Sequence, residues 1–437
     1  MPGNGRSRPA AGLGSVSMGR HCTQAGISIQ ANLGRGKEMK RILIVDRYFY
    51  PDLQATAVLL TDLASHLSNH FAVEVMCGAP SKFQDEKSTL KLPAQLKVTQ
   101  LPATNFNQHH LLGRLANYFS FLCCVPLAIL FHARVDLILV QTTPPLLSFA
   151  VSLACRVKRI PYIYVCQDLF PFTAIKSGLI HESFLTQCLA DLNRSAIRHA
   201  SYVVALGRDM AKRLKTCGAQ EEQIKVIPNW TDVTPKAGIE RDNPFAKAQQ
   251  LTGCFVVMHA GNFGYVQDFD FLLEVAEHLK EDTQIKIVLI GGGAVRGAVA
   301  GKAKEKGLSN VYFLPFQERT EVSLVLGSAD LQVVSLKKGL SGYSVPSKTY
   351  AILACGKALL GAVEKDSEVA YLIEEAQGGL VTGGKTAEAV AEEIKQLKSE
   401  PHRIKTWEEN VRRFAQKKNF REAAFEAYER LIREASA

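Results

Sequence analysis

The chain has 437 residues, of which 47% are hydrophobic and 22% charged. It is longer than one ordinary core requires, which predicts two domains, and its composition excludes a disordered or fibrous chain. The formal net charge of +10 points toward anionic partners, yet five basic residues (Arg6, Arg8, Arg20, Arg35, Lys37) against Glu38 alone fall within residues 1–38, so the rest is only moderately basic.

Residues 1–38 are rich in glycine and serine and lack both periodicity and the apolar run of a secretory signal, although their Arg/Ser-rich, acid-poor make-up is compatible with a transit peptide. They read as an unstructured leader or extension, with the first structural signal at Met39-Lys40. From Arg41 onward, short β-branched apolar runs alternate with helical stretches, the pattern of parallel βαβ units. RILIVD from Arg41, VEVMCG from Val73, LKVTQL from Leu96, DLILVQ from Asp136, YIYVCQ from Tyr162 and YVVAL from Tyr202 predict one sheet, apolar on both faces as a doubly covered sheet requires. Within this half, residues 111–133 (LLGRLANYFSFLCCVPLAILFHA) form an apolar stretch interrupted by Arg114 and Pro126. Its clean apolar core is shorter than the ~20 residues that a membrane span needs. It reads either as a buried helix or as one whose face dips into a bilayer, with Arg114, Arg134, Arg156, Lys158 and Arg159 nearby in sequence to meet acidic lipid.

After KVIPNW, ending at Trp230, a polar stretch with Pro235, Gly238 and Pro244 marks a linker. The alternation restarts with CFVVMHAG from Cys254 and continues through IKIVLIGGG from Ile285, NVYFL from Asn310, DLQVVS from Asp330, KALLGA from Lys357 and GGLV from Gly378. The tail from about Thr406 is helical, with Trp407, Phe414, Phe420, Phe425, Tyr428 and Leu431 as packing residues. The expected organisation is therefore an α/β domain over 39–232, a second over 233–405, and helices over 406–437 that return to the first. The ten cysteines show no CxxC pair and read as buried thiols of a reducing compartment, the cytosol. Two doubly wound sheets in tandem would face their carboxyl ends across one crevice, where such sheets bind ligands.

Two segments carry the chemistry. In HAGNFGYVQDFDFLLEVAEHL, from His259, a strand ends in Gly261-Asn262-Phe263-Gly264 and leads into an amphipathic helix, so backbone N–H groups can approach an anion. A plain tight turn has the same sequence signature. In SGYSVPSK, Ser341 to Lys348, Pro346 suits a first helical position and Gly356 a stop, which puts Lys348 in the first helical turn. A lysine there opposes the helix dipole, and a bound anion accounts for it better than stability does.

The order strand-HAGNFG-helix, strand-LIGGG, strand-FLPF and VPSKTYAILACGK followed by SEVAYLIEE, with VIPNW before it, resembles glycosyltransferase family 4, in particular the branch that makes surface polysaccharides and lipid-linked glycans. RYFYPDLQATA after the first strand and YVCQDLFPF from Tyr164 resemble the same branch. The resemblance covers about residues 39 to 400 and implies a GT-B fold, two Rossmann-like domains facing a cleft, with the first on the acceptor side and the second binding the nucleotide sugar. It implies that Gly261, Asn262, Gly264 and Lys348 surround the donor diphosphate, that Gly291, Gly292 and Gly293 with Leu314 to Phe316 line the nucleobase side, and that Ser344 and Ser347 face the sugar or diphosphate. Tyr50 to Ala57, with Ala55, Thr56 and Ala57, would close on the donor sugar, and Asp168 would sit beside the transferred carbon as a catalytic residue with Lys348.

The implied chemistry is retaining hexosyl transfer without a metal or cofactor, from a nucleoside-diphosphate sugar to a lipid-linked saccharide or other surface-glycan precursor. The implied partners are that donor, that acceptor and an acidic membrane surface, with the protein in the cytoplasm, peripheral on the inner face of the membrane. Two positions depart from the family. Ala351 stands where its paired-glutamate motif has the ribose-binding carboxylate, with Tyr343 eight residues earlier, and Gln167 precedes Asp168 where the wider family often has histidine. These departures keep an inactive homologue acting as a partner subunit among the alternatives, alongside a nucleotide-sugar epimerase. A dehydrogenase is disfavoured because no glycine cradle follows the first strand, and Arg296 stands where a GxGxxG motif needs its third glycine. Nucleic-acid binding is disfavoured because Lys212, Arg213 and Lys215 lie on one helix without interleaved aromatics.

Overall fold

The computed structural model describes residues 39–80, 91–106, 111–233 and 239–436. The leader, Pro235, Gly238 and the side chain of Arg114 lie outside the described residues. The first sheet contains β1 (Arg41–Val45), β2 (Ala72–Cys77), β3 (Lys97–Gln100), β4 (Leu137–Gln141), β5 (Tyr162–Cys166), β6 (Tyr202–Ala205) and β7 (Ile224–Val226), in the order β3-β2-β1-β4-β5-β6-β7. The second contains β8 (Phe255–Ala260), β9 (Ile285–Ile290), β10 (Val311–Leu314), β11 (Leu331–Ser335), β12 (Leu359–Ala362) and β13 (Gly379–Val381), in the order β10-β9-β8-β11-β12-β13. Every pairing in both sheets is parallel. Helices cover both faces, so β4, β5, β11 and β12 are buried at every residue. The strand order reverses between β1 and β4 and again between β8 and β11, and these two switch points are where an open α/β sheet leaves room for a ligand.

The domains meet on a polar clamp laid over a continuous apolar contact. The Arg208 guanidinium grips Glu368 through Nε and Nη2, both at 3.0 Å, and also reaches Glu375. Asp209, buried beside it, accepts the amides of Gly342 and Glu368, each at 3.0 Å. Leu206 and Met210 from the first domain share one core with Val345 and Tyr350 from the second. Gly342 has a φ of +81° and a β-carbon there would lie 2.8 Å from the Asp209 carbonyl oxygen, so both its backbone and its lack of a side chain are required for this approach.

The tail is two helices, Pro401–Lys418 and Phe420–Ala435, separated by Asn419 in the left-handed region. The first starts five residues before Thr406 and lies on the second domain, where Trp407 packs into its core. Only the second helix crosses back. Its apolar stripe, Phe425, Tyr428, Leu431 and Ile432, enters the first-domain core, and Arg421 forms a bidentate pair with Asp62 at 2.5 and 2.8 Å.

The Leu111–Phe131 helix is apolar all round but only one face is covered. Asn117, Phe121, Val125 and Ile129, four residues apart, are buried, while Leu112, Leu115, Phe119, Leu127 and Phe131 are exposed, Phe119 at 71% and Phe131 at 87%. The helix is thus half core and half open surface. Val157, on the neighbouring Leu147–Lys158 helix, extends the open surface. Lys158, expected to meet lipid, instead donates to the carbonyls of Ile129 and His132 at 3.2 and 2.8 Å, capping the helix end where the dipole is negative. Among the described residues no helix is long and apolar enough to cross a membrane. Cys77, Cys155, Cys166 and Cys217 are buried as expected, but Cys123 is exposed on the open face of this same helix.

Candidate functional site

The carboxyl edges of β10, β9, β8 and β11, adjacent in that order, bring four sequence-distant segments into one wall. Gly261 follows β8, Gly291 follows β9, Pro315 and Phe316 follow β10, and the loop after β11 leads to Lys348. The glycine loops interlock through their backbones. The Gly261 amide donates to Ile290 at 2.9 Å, the Phe263 amide to Gly292 at 2.8 Å, and the Gly291 amide to Leu314 at 3.0 Å. Close approach is what demands glycine here. A β-carbon on Gly291 would stand 1.9 Å from the Gly261 carbonyl oxygen, and one on Gly293 would stand 2.4 Å from Asn262 Oδ1. Both residues also have positive φ, +132° and +143°. Phe316, 60% exposed, lies beside Gly291 and Gly292 as a free aromatic face.

Lys348 opens the Lys348–Ala354 helix, with Ser347 as its N-cap residue; Pro346 therefore stands before the cap, not at the first helical position expected for it. Its ammonium lies 2.8 Å from Nδ1 and 3.1 Å from Nε2 of His259 and about as close to Gly261 as a side chain there would allow, the Nζ being 3.9 Å from an ideal β-carbon. One ammonium cannot aim protons along both ring lone pairs, so a single hydrogen bond to a neutral imidazole is what this geometry permits. His259 is fully buried, edge-on to Phe263 and Phe269, and burial followed by the Lys348 charge holds its pKa well below the usual value. Burial likewise pulls Lys348 down to about 7. Lys348 retains partial exposure, so water moderates that fall, but its direction follows from the burial of an ammonium. A diphosphate beside it would reverse the shift.

The opposite wall is the carboxyl edge of the first sheet. Asp168, just after β5, forms an antiparallel bridge with Ser344, and the Leu169 amide donates to the Tyr343 carbonyl at 2.9 Å. Asp168 is crowded by protein, which raises its carboxyl pKa, while a hydrogen bond from Ser344 opposes the rise. The residue is nevertheless exposed, and its access to water favours the carboxylate. The loop Ser341–Ser347 therefore ties Asp168 on one wall to Lys348 on the other. Tyr343, eight residues before Ala351, supports the domain contact, its ring 5.8 Å from Phe172 and 4.8 Å under the Arg213 guanidinium.

Ala55, Thr56 and Ala57 are placed in the first turn of the Ala55–Leu67 helix, not in a loop; of the stretch Tyr50 to Ala57 only Tyr50 to Gln54 lie in the connection after β1, which runs from Asp46 to Gln54. Among the described residues none of the three makes a hydrogen bond with the second domain, so they are not joined to the glycine loops. Three residues escaped the sequence reading. His259 was visible only as the letter before Ala-Gly. Arg296 opens the Arg296–Glu305 helix after Gly293 with its buried Nε unpaired, and was read only as a missing glycine. Arg47, after β1, is 1% exposed with Nε and Nη2 unpaired and its guanidinium over Tyr48 and Phe121. Nothing in the pattern RILIVDRYF separates that arginine from a surface one.

Two Rossmann-like sheets, each with the reversal of strand order facing a shared crevice, and a glycine-and-lysine wall on the second, define a glycosyltransferase of the GT-B type. Residues 55–230 match the glycosyl transferase 4-like domain and residues 241–414 the glycosyl transferases group 1 domain. Together these cover most of the chain, which belongs to glycosyltransferase family 4. WbjE of Pseudomonas aeruginosa, described as a glycosyltransferase, is 28% identical over 273 residues, 62% of this chain and 68% of that protein. WcaI of Escherichia coli, described as a colanic acid biosynthesis glycosyl transferase, is 24% identical over 197 residues, 44% of this chain and 48% of that protein. Among solved structures, Anabaena HepE in complex with UDP superposes with a TM-score of 0.68 at 18% identity, over 90% of this chain and 100% of that one.

Proposed function

We propose that the protein transfers a hexosyl group, with retention, from a nucleoside-diphosphate sugar to a lipid-linked saccharide or another precursor of a surface polysaccharide, on the cytoplasmic face of an acidic membrane. The observation that carries this reading is the convergence of Gly261–Gly264, Gly291–Gly293 and Lys348 at one switch point, where glycine backbone leaves room for a diphosphate beside a cation that rests on a histidine. HepE has been seen with UDP and with UDP-glucose, and WcaI is named for polysaccharide synthesis. In this reading Phe316, Leu314 and the Gly291–Gly293 backbone hold the nucleoside, and Lys348 stabilises the departing diphosphate, which Gly261, Asn262 and Gly264 surround, without a metal. Asp168 stands beside the anomeric carbon as positive charge develops there. The bond from that carbon to the diphosphate oxygen breaks as the acceptor hydroxyl oxygen bonds from the same face, and the hydroxyl proton passes to the departing phosphate. The open face of the Leu111–Phe131 helix is the surface that would rest on lipid, and the exposed Arg134, Arg156 and Arg159, near it in sequence, supply positive charge.

Ala351 favours a second reading, a partner subunit without transferase activity, because a ribose-binding carboxylate is missing there. A thermal-shift series on the full chain with UDP, GDP, ADP, CMP and NAD separates the two, since a ligand that binds only the native state raises its melting temperature. A selective shift with one nucleoside diphosphate supports the transferase and names its donor class. A response to none overturns it in favour of the inactive homologue.

A further inference from the structure

Away from the crevice, the returning helix and the Ala55–Leu67 helix face each other in matched rows. Asp62, His66 and His70 follow one another at four-residue spacing on and just beyond the Ala55–Leu67 helix. Arg421, Phe425, Glu429 and Arg433 do the same on Phe420–Ala435. The rows pair in register: Arg421 on Asp62, Phe425 stacked on the His66 ring at 4.2 Å, and Glu429 between both histidines. Glu429 Oε1 lies 2.7 Å from His66 Nε2 and 3.3 Å from His70 Nε2, and the three candidate ligand atoms lie within 4.8 Å of one another.

We propose that His66, His70 and Glu429 bind a divalent cation of Zn²⁺ character that fastens the returning helix to the first domain. Two imidazoles and one carboxylate form a borderline-soft N/O set that suits Zn²⁺ and not Mg²⁺ or Ca²⁺, which take oxygen ligands. Tetrahedral bonds of about 2.0–2.1 Å put neighbouring ligand atoms roughly 3.3 Å apart, the separation already present between His70 and Glu429, while His66, at 2.7 Å from Glu429, would move outward to admit the ion. His66, in the last helical turn, and His70, in the turn that follows it, both face Glu429 and so are placed to share an ion. Solvent reaches the cluster, since His66 and Glu429 are partly exposed and His70 more so, and a cavity of about 390 Å³ lined by Asp62, Ser65, His66, Asn69, Arg421 and Phe425 opens beside it, giving an ion an entry path and a water a fourth position. The second carboxylate oxygen of Glu429 faces Arg433 at 3.5 Å, which orients the group without occupying the oxygen aimed at the histidines. Because this helix is the chain's return from the second domain, the ion would clamp the helix whose docking ties the two domains together.

The test is calorimetric titration of ZnCl2 into the chelator-treated full-length protein, with its melting temperature recorded in parallel. One equivalent is expected to bind saturably and raise the melting temperature by ~3 °C or more when the free ion is well above its Kd. His70→Ala, which removes an exposed side chain, and Glu429→Gln, which keeps a hydrogen-bonding group, should each abolish that equivalent and the shift. His181→Ala, an exposed histidine elsewhere, should retain both. No saturable binding in the parent protein, or an equivalent that persists in His70→Ala and Glu429→Gln, overturns the proposal and leaves an ordinary histidine–glutamate contact. Both outcomes are independent of whether the crevice binds a nucleotide.

Discussion

The two walls of the crevice are built by different means. The second-domain wall is mostly backbone: Gly261, Gly291 and Gly293 let three loops touch main chain to main chain, and one lysine is set among them on a fully buried histidine. The first-domain wall relies more on side chains: the Asp168 carboxyl hydrogen-bonded by Ser344, the buried Arg47 guanidinium over two aromatic rings, and an apolar helix with a bare face. Backbone recognition suits a partner of constant shape, such as a diphosphate, whereas side chains and open apolar surface suit one of variable shape. The contrast teaches that a shared chemistry is written into spacing, and a particular substrate into surface.

Substitutions on each wall can break this contrast. The largest expected effect is that of Gly291→Ala, which forces a β-carbon into the Gly261 carbonyl at a positive φ. Donor nucleotide binding by calorimetry should fall more than ~100-fold, while Gly297→Ala, with open space around it, should leave binding intact and stability equal or higher by about 0.5–1 kcal/mol. Equal tolerance of both would show that the loops do not depend on close approach. Next, Asp168→Asn should cut turnover by ~100-fold or more with nucleotide affinity unchanged, in steady-state kinetics beside a binding titration. A parallel loss of affinity would move Asp168 to the donor side.

Lys348→Ala should weaken nucleoside-diphosphate binding by more than about tenfold, since a charge-assisted contact is worth ~1.5–3 kcal/mol. Unchanged affinity would remove Lys348 from the site. On the other wall, Phe119→Ser with Phe131→Ser should lower partition onto anionic vesicles by roughly tenfold in a flotation assay and leave the melting temperature unaltered, because both side chains are exposed. Undiminished flotation would return that face to ordinary surface.

The smallest effect is one of pH. With Lys348 near 7 in the free protein and raised by an anion, the protonated form is the one that binds. Affinity is insensitive to this group well below pH 7 and falls by up to about tenfold per unit above it, until the pKa of the bound form is reached. Lys348→Ala should flatten the profile, and a profile that stays steep would assign the proton to another group.

Much of this architecture is legible in the residues. Apolar β-branched runs marked twelve of the strands, because parallel strands buried on both faces leave an unbroken hydrophobic signature. β7 carries no such signature: Ile224–Val226 is three residues long, lies at the sheet edge and is incompletely buried, so KVIPNW stands out in the sequence only as the segment before the linker. The Leu111–Phe131 helix was visible as a helix, but its division into a covered and an open face was not, since leucine and phenylalanine stand on both. Likewise the glycines and Lys348 stood out by spacing, while His259, Arg296 and Arg47 did not, because a polar residue after or within a strand gains its character from neighbours that the chain supplies far away.

By itself, then, the sequence determined the two parallel sheets, the glycine turns at their carboxyl edges, and the helix start that carries Lys348, all consequences of local backbone preference and of the period with which apolar side chains recur. Only the tertiary structure decided that β8 and β11 lie side by side and so seat Lys348 on His259. It also decided that Gly342 and Asp209 bring Ser344 to Asp168, and that the final helix sets Glu429 between two histidines more than 350 positions earlier. Such contacts depend on strand order and helix docking, which follow from burying whole faces against one another, and no local pattern encodes which face will be met.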